Sequence, residues 1–208
     1  MKLNTILIAV IALLIGGIGG YMITNDSEEY EMGEMMYDRD EDNDSDFNNM
    51  PMGSMGAMDH SMMMVSSERE FLTGMIPHHQ EAVDTAKEVI ERGGSTPEIK
   101  TLVENIVVAQ EAEIAEMKKW YQDWYGVPYE EKIEDYQPMM RELAELSGVE
   151  LDKRFLEDMI MHHMGAIMMA RSVQPYIEHQ EVEDLTEAIV ETQMNEIELM
   201  RQLLGEIN

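Results

Sequence analysis

From residue 66 to the end of the chain, apolar positions recur at three- and four-residue spacing, the signature of amphipathic helices. Leu72, Met75, Ile76, His79, Val83 and Ala86 form one such stripe, with Thr73, Pro77, Gln80, Asp84 and Lys87 on the opposite, polar side. The spacing predicts helices over about 67–92, 97–125, 152–173 and 181–206, and a shorter one from Pro138 to Leu146. Local signals agree. Ser67 followed by Glu70 is a capping-box pattern, and Thr96-Pro97 places a cap residue before a proline at the first helical position. Gly93-Gly94, Gly126 and Gly148 punctuate the helix ends. No segment shows a strand period.

The pattern occurs twice. FLTGMIPHHQEAVDTAKEV (71–89) aligns without gaps to FLEDMIMHHMGAIMMARSV (155–173), an offset of 84. The identities include Phe71/Phe155, Met75/Met159, His78/His162 and His79/His163. At an offset of 83, Leu102, Ile106, Gln110, Glu113 and Met117 match Leu185, Ile189, Gln193, Glu196 and Met200. The repeating unit is a helical hairpin. Two hairpins bury their apolar stripes against each other, so the expected fold is an all-α four-helix bundle with approximate two-fold symmetry, built from duplicated hairpins over 66–208.

The region ahead of the bundle reads differently. Ile6 to Ile23 is an apolar run of 18 residues with Lys2 before it and acidic residues after it. A spanning helix takes about 20 residues. No small-residue cleavage site is evident, so residues 1–23 are expected to form an uncleaved membrane anchor rather than a cleaved signal. The charge asymmetry places the remainder outside the cytoplasm, in the periplasm or at the cell surface. Residues 24–65 carry twelve acidic residues, one basic residue (Arg39) and no sustained period. Such a segment buries too little apolar area to offset its ordering entropy and is expected to be a disordered linker.

Composition sharpens the functional question. The chain has 43 acidic and 14 basic residues, a net charge of −29. Phosphate binding needs a basic surface, so nucleic acid is not an expected partner; a cation is. The absence of cysteine removes disulfides, thiolate metal sites and cysteine nucleophiles. Methionine is abundant, at 23 residues, and ten of these lie in the linker, Met55 and Met58 beside His60 among them. A disordered segment has no core to fill with methionine, whereas the thioether is a soft neutral ligand suited to Cu(I).

The helical repeats add imidazole to thioether. Residues three and four apart share a helix face, so Met75 stands one turn before His78 and His79, as Met159 does before His162 and His163. His79 and His163 fall on the inward stripes, His78 and His162 at their flanks. Either these are core histidines satisfied by hydrogen bonds or they are metal ligands; two adjacent pairs, each with a methionine one turn back, favour ligands. Gln110, Glu113, Gln193 and Glu196 lie on or beside the facing stripes, where they orient the imidazoles or serve as structural hydrogen-bond partners. Met161, Met164 and Met168 occupy the positions that are polar in the first copy. They are expected as an exposed methionine stripe, for soft metal, for a partner or for the methionine-rich linker. Met117, Met194 and Met200 read as packing residues, and Met139 and Met140 are left open. Pro77 is expected to kink the first helix beside His78.

The paired motifs M-I-P-H-H-Q-x-A-V and M-I-x-H-H-x-G-A-I on a duplicated hairpin resemble the CopM-like family, a ferritin-like four-helix group also designated domain-of-unknown-function family 305. The resemblance spans about 66–207. It implies extracytoplasmic binding of Cu(I) or Ag(I), a part in copper tolerance, and Met75, His78, His79, Met159, His162 and His163 as ligands. Such motifs often carry a further methionine where the second copy has Met169; the first copy has Thr85 instead.

Other chemistries lack their residues. No glutamate stands three positions before any histidine, as a di-iron bundle requires, and H-E-x-x-H, phosphate-loop and G-x-S-x-G motifs are absent. The expected function is therefore capture, buffering or handover of Cu(I) or Ag(I), not catalysis. The alternatives are an interaction module whose methionine stripe docks an envelope copper-handling protein, and a copper-dependent redox enzyme. Oligomeric state is open.

Overall fold

The computed structural model describes residues 64–130 and 136–207; the expected membrane anchor and nearly all of the expected linker, including Met55, Met58 and His60, lie outside the described residues. Among the described residues there are four helices, α1 (Glu68–Arg92), α2 (Pro97–Tyr125), α3 (Gly148–Val173) and α4 (Gln180–Glu206), with a short 3-10 turn at Gln174–Tyr176 before α4. Among the described residues there is no strand, and no helix is long and apolar enough to cross a membrane.

The helix boundaries follow the predicted caps. The Ser67 side chain accepts from Glu70 N at 3.1 Å, and Glu70 reaches back to Ser66 N at 2.8 Å, one residue further than the usual reciprocal box. Thr96 caps α2 by accepting from Ile99 N at 3.3 Å. Gly126 ends α2 in the left-handed conformation, φ 71°, which a side chain resists. α1 is continuous through Pro77. α3 begins four residues before the predicted 152, at Gly148.

The predicted short helix at 138–146 does not form: the segment is irregular, with a turn at 144–145. Its backbone donors are taken by carboxylates of the long helices. Met139 N and Met140 N donate to Glu81 at 2.8 and 2.9 Å, and Arg141 N donates to Asp158 at 3.0 Å. The Arg92 guanidinium donates to the Leu143 and Ala144 carbonyls, each at 3.0 Å. These bonds tie the segment to α1 and α3.

α1 packs on α2 and α3 on α4, and the two hairpins meet chiefly through α1 and α3. Phe71, early in α1, shares a buried cluster with Ala170 and Val173 at the end of α3. Phe155, early in α3, shares another with Ala86 and Val89 near the end of α1. The repeated phenylalanines thus mark opposite ends of an antiparallel α1–α3 pair, and the paired histidines fall midway between them. Asp152, fully buried, ties the hairpins at one end by accepting from Gly94 N at 2.8 Å and Ser95 N at 2.7 Å. Asp152→Ala strands these loop donors. It is expected to lower stability by about 1–3 kcal/mol, measured as a shift in urea midpoint at unchanged slope.

Candidate metal centre

The site grows from one pairing, made twice. His79 lies on the inward stripe of α1 and Glu113 on that of α2, and His79 Nε2 stands 2.8 Å from Glu113 Oε2. In the second hairpin His163 Nε2 stands 2.7 Å from Glu196 Oε2. Both histidines are fully buried and both glutamates nearly so. A carboxylate only accepts, so Nε2 carries the proton and donates. In the neutral ring Nδ1 is then a bare lone pair directed into the protein. The sequence repeat is thereby a repeat of contacts, and Glu113 and Glu196 hold the imidazoles, which both of the expected roles require.

His78 and His162 were expected at the flanks of the stripes. Instead they are buried and form the closest pair between hairpins, with ring centroids 3.7 Å apart and planes at 38°. The reason is the direct α1–α3 packing, which turns the side of each stripe inward. His78 lies 6.2 Å from His79 and His162 lies 6.5 Å from His163, centroid to centroid. Burial drives the His78 pKa well below the ordinary imidazole value, and the three other histidines push the same way. Burial also lowers His162, against an opposing contact from Glu81. Both rings are therefore neutral at neutral pH, with lone pairs available.

The polar accounting does not close. Both ring nitrogens of His78, both of His162, and Nδ1 of His79 and of His163 are buried without a hydrogen-bond partner. The side-chain oxygens of Gln110 and Gln193 are likewise unsatisfied. Orphaned buried polar atoms of this density are rare in folded proteins. Met75 and Met159, one turn before the two histidine pairs, are fully buried, and Met169 is buried in the same cluster as Met75. The Met169 sulfur lies 3.5 Å from where a Cβ on Gly74 would stand, so it reaches the turn of α1 that carries Met75. Thr85, its counterpart, is half-buried, and its hydroxyl donates to the Glu81 carbonyl at 2.8 Å. Among the described residues no group of three or more histidine and carboxylate side chains is placed to hold a metal. The donor set is imidazole with thioether, which fits a soft monovalent ion and not a hard divalent one.

The exposed methionine stripe is not found. Met164 is buried and Met161 and Met168 are half-buried. Met161 and Met164 pack in the cluster that holds Met140, Leu143 and Leu146 of the segment between the hairpins. That connector packs over Met161 and Met164, whose counterparts Pro77 and Gln80 are half-buried; Asp84 is exposed where Met168 is half-buried, and Lys87 and Arg171 are both exposed. Met117 and Met200 pack in the core as expected, whereas Met194 is half-exposed at 51% and is not a packing residue.

One residue of the centre escaped the sequence reading. Glu81 places Oε2 3.3 Å from His162 Nε2, a long contact outside hydrogen-bond geometry, and it also accepts from the Tyr136 hydroxyl. Burial pushes its carboxyl up, but His162, Tyr136 and the Met140 amide together hold it below the ordinary value. The available signal was a break in the repeat: position 81 aligns with Gly165. The sixth histidine, His179, stands apart. Its Nδ1 lies 2.7 Å from Glu68 Oε2 and its ring stacks on Trp124 at 3.7 Å.

The family model for the domain of unknown function DUF305 matches residues 21–121 and 68–204. The chain belongs to this family. Solved structures of CopM in Cu(I)-bound and Cu(II)-bound forms are 34% identical, with TM-scores of 0.61 and 0.62; the alignments cover 68% and 69% of this chain and 98% and 99% of theirs. CopM has also been solved with silver. A DUF305 fragment from Deinococcus radiodurans is 28% identical at a TM-score of 0.59, over 69% of this chain and 98% of that one. The uncharacterized protein L153 of Acanthamoeba polyphaga mimivirus is 40% identical over 50 residues, 24% of this chain; the match spans about a third (32%) of the viral protein.

In the DUF305 bundle described here, the depressed His78 and His162 pKa values link stability to pH. Below the ordinary imidazole pKa, near 6.5, the unfolded chain binds protons that the folded rings refuse. Stability is therefore complete above that value and falls as pH drops below it, each ring contributing a slope approaching about 1.4 kcal/mol per pH unit. Urea unfolding across mildly acidic pH is expected to show this slope. His78→Gln is expected to reduce it by about one proton.

Proposed function

We propose that this protein captures Cu(I) or Ag(I) in the core of its bundle, outside the cytoplasm, and buffers the ion or hands it on. The observation that carries the reading is the cluster of buried imidazole nitrogens with no partner in the protein. A ligand that accepts imidazole lone pairs removes the cost of leaving them unsatisfied. His78, His79, His162 and His163 would supply nitrogen, and Met75, Met159 and Met169 would supply sulfur. Glu113 and Glu196 would fix the His79 and His163 tautomers and raise their basicity, as carboxylates beside metal-bound imidazoles do. The names of the CopM structures, which carry Cu(I), Cu(II) or silver, support the choice of ion.

The remaining parts fit the same task. The net charge of −29 raises the local concentration of cations. Residues 1–23 would anchor the chain in the membrane, and the methionines of 24–65, with His60, would add low-affinity capture ahead of the bundle. The ferritin-like bundle serves here to hold ligands, not to run a reaction. Docking of an envelope partner through a methionine stripe is the weaker reading, because the connector covers that stripe.

The test is a Cu(I) titration of the full-length chain against a competing chelator. The wild type is expected to hold Cu(I) with sub-micromolar affinity, and changing His78, His79, His162 and His163 together to alanine is expected to abolish this tight phase. A tight phase that survives in that variant would move the site to the methionines; its absence from the wild type would remove the proposal.

A further inference from the structure

We infer that Glu81 is a positioning residue for His162 and couples metal capture to the connector between the hairpins; this rests on the functional reading above. Three of the four histidines have a carboxylate at Nε2: His79 has Glu113 at 2.8 Å, His163 has Glu196 at 2.7 Å, and His162 has Glu81 at 3.3 Å. The first two carboxylates belong to the repeat and come from the partner helix of the same hairpin. The third crosses from α1 to α3 and has no equivalent, since Gly165 stands where a carboxylate for His78 would be. The two halves are therefore not equivalent. His162 is directed toward the tautomer with a proton on Nε2 and a free Nδ1, and His78 is left with neither nitrogen assigned.

The same carboxylate holds the connector. Its Oε1 accepts from Met139 N at 2.8 Å and Met140 N at 2.9 Å, and its Oε2 accepts from the Tyr136 hydroxyl. Glu81 is half-buried, and His162 is buried, so the carboxylate is the link between the core and the segment that covers Met161 and Met164. If His162 held the ion, its Nε2 proton would become a stronger donor and the 3.3 Å contact to Glu81 would shorten to a hydrogen bond. No proton would leave the pair. The carboxylate would be drawn toward His162 while still accepting from Met139 and Met140, so the connector would be held more firmly.

The experiment uses the full-length chain in detergent micelles, labelled with 15N, and Ag(I) as the probe because it has no accessible redox change. In the wild type the His162 ring is expected to carry its proton on Nε2. Ag(I) is expected to shift Nδ1 and to slow amide exchange at Met139 and Met140 several-fold. Glu81→Gln keeps an acceptor for the connector but loses the charge. It is expected to lose the tautomer preference and the exchange response, and to bind Ag(I) at His162 about 10–100-fold more weakly. The ring tautomer separates positioning from mere structural support, and the wild-type measurements stand even if the variant misfolds. Wild-type tautomer and affinity in Glu81→Gln, or unchanged exchange at Met139 and Met140 while the other rings respond, would overturn the inference and leave the functional reading intact. Silence of all four rings toward Ag(I) would overturn both.

Discussion

The hydrogen bond from a buried imidazole to a buried carboxylate, made once in each hairpin, is the constraint around which this bundle is organised. Each pair removes polar groups from water inside a core otherwise lined by leucine, isoleucine, methionine and phenylalanine, and such burial is tolerated only when the groups are satisfied. The pairing satisfies one nitrogen per ring and leaves the other exposed to the interior. Together with His78 and His162, whose ring nitrogens have no hydrogen-bond partner, these two rings form a polar region at the middle of α1 and α3 that the protein alone does not complete. The apolar clusters at either end, one around Phe71 and one around Phe155, supply the burial that keeps this region in place.

Duplication explains the construction and its departures explain the differences between the halves. A histidine pair on one helix and a glutamate on the next form a self-contained half-site, and copying the hairpin gives a second. Antiparallel packing of α1 on α3 then sets His78 against His162. Where the copies diverge, the differences act locally. Glu81 against Gly165 gives one half a carboxylate that the other lacks. Gln80 and Asp84 against Met164 and Met168 give one half polar residues and the other methionines, of which Met164 packs with the connector. The amides of the connector at 139–141 are bound by Glu81 and Asp158, so it follows the helices beneath it.

Much of this was legible in the chain. The stripes around Leu72, Met75 and Val83, the caps at Ser67 and Thr96, and the gapless alignment of 71–89 with 155–173 led to four helices whose observed ends mostly agree within a residue. The histidines and the two glutamates were legible as candidates because the repeat preserved them. The connector was not. Pro138 to Leu146 carries a helical period, but the groups it bonds to, on Glu81, Arg92 and Asp158, belong to the long helices, where no local pattern reports them. The exposure of Met161, Met164 and Met168 was misread for the same reason, since the comparison with the first copy could not include a segment that covers only one of the two faces.

Sequence by itself therefore determined the helices, their duplication and the kinds of atom available, because helix period, capping and residue chemistry act over a few neighbouring residues. Tertiary structure alone decided which side of each stripe turned inward, that the rings of His78 and His162 meet, that a carboxylate on one hairpin stands beside a histidine on the other, and which methionines water reaches. Those outcomes depend on how two helices cross and on what lies over them, and distances between segments far apart in the chain are fixed only when the whole set of apolar faces is buried together.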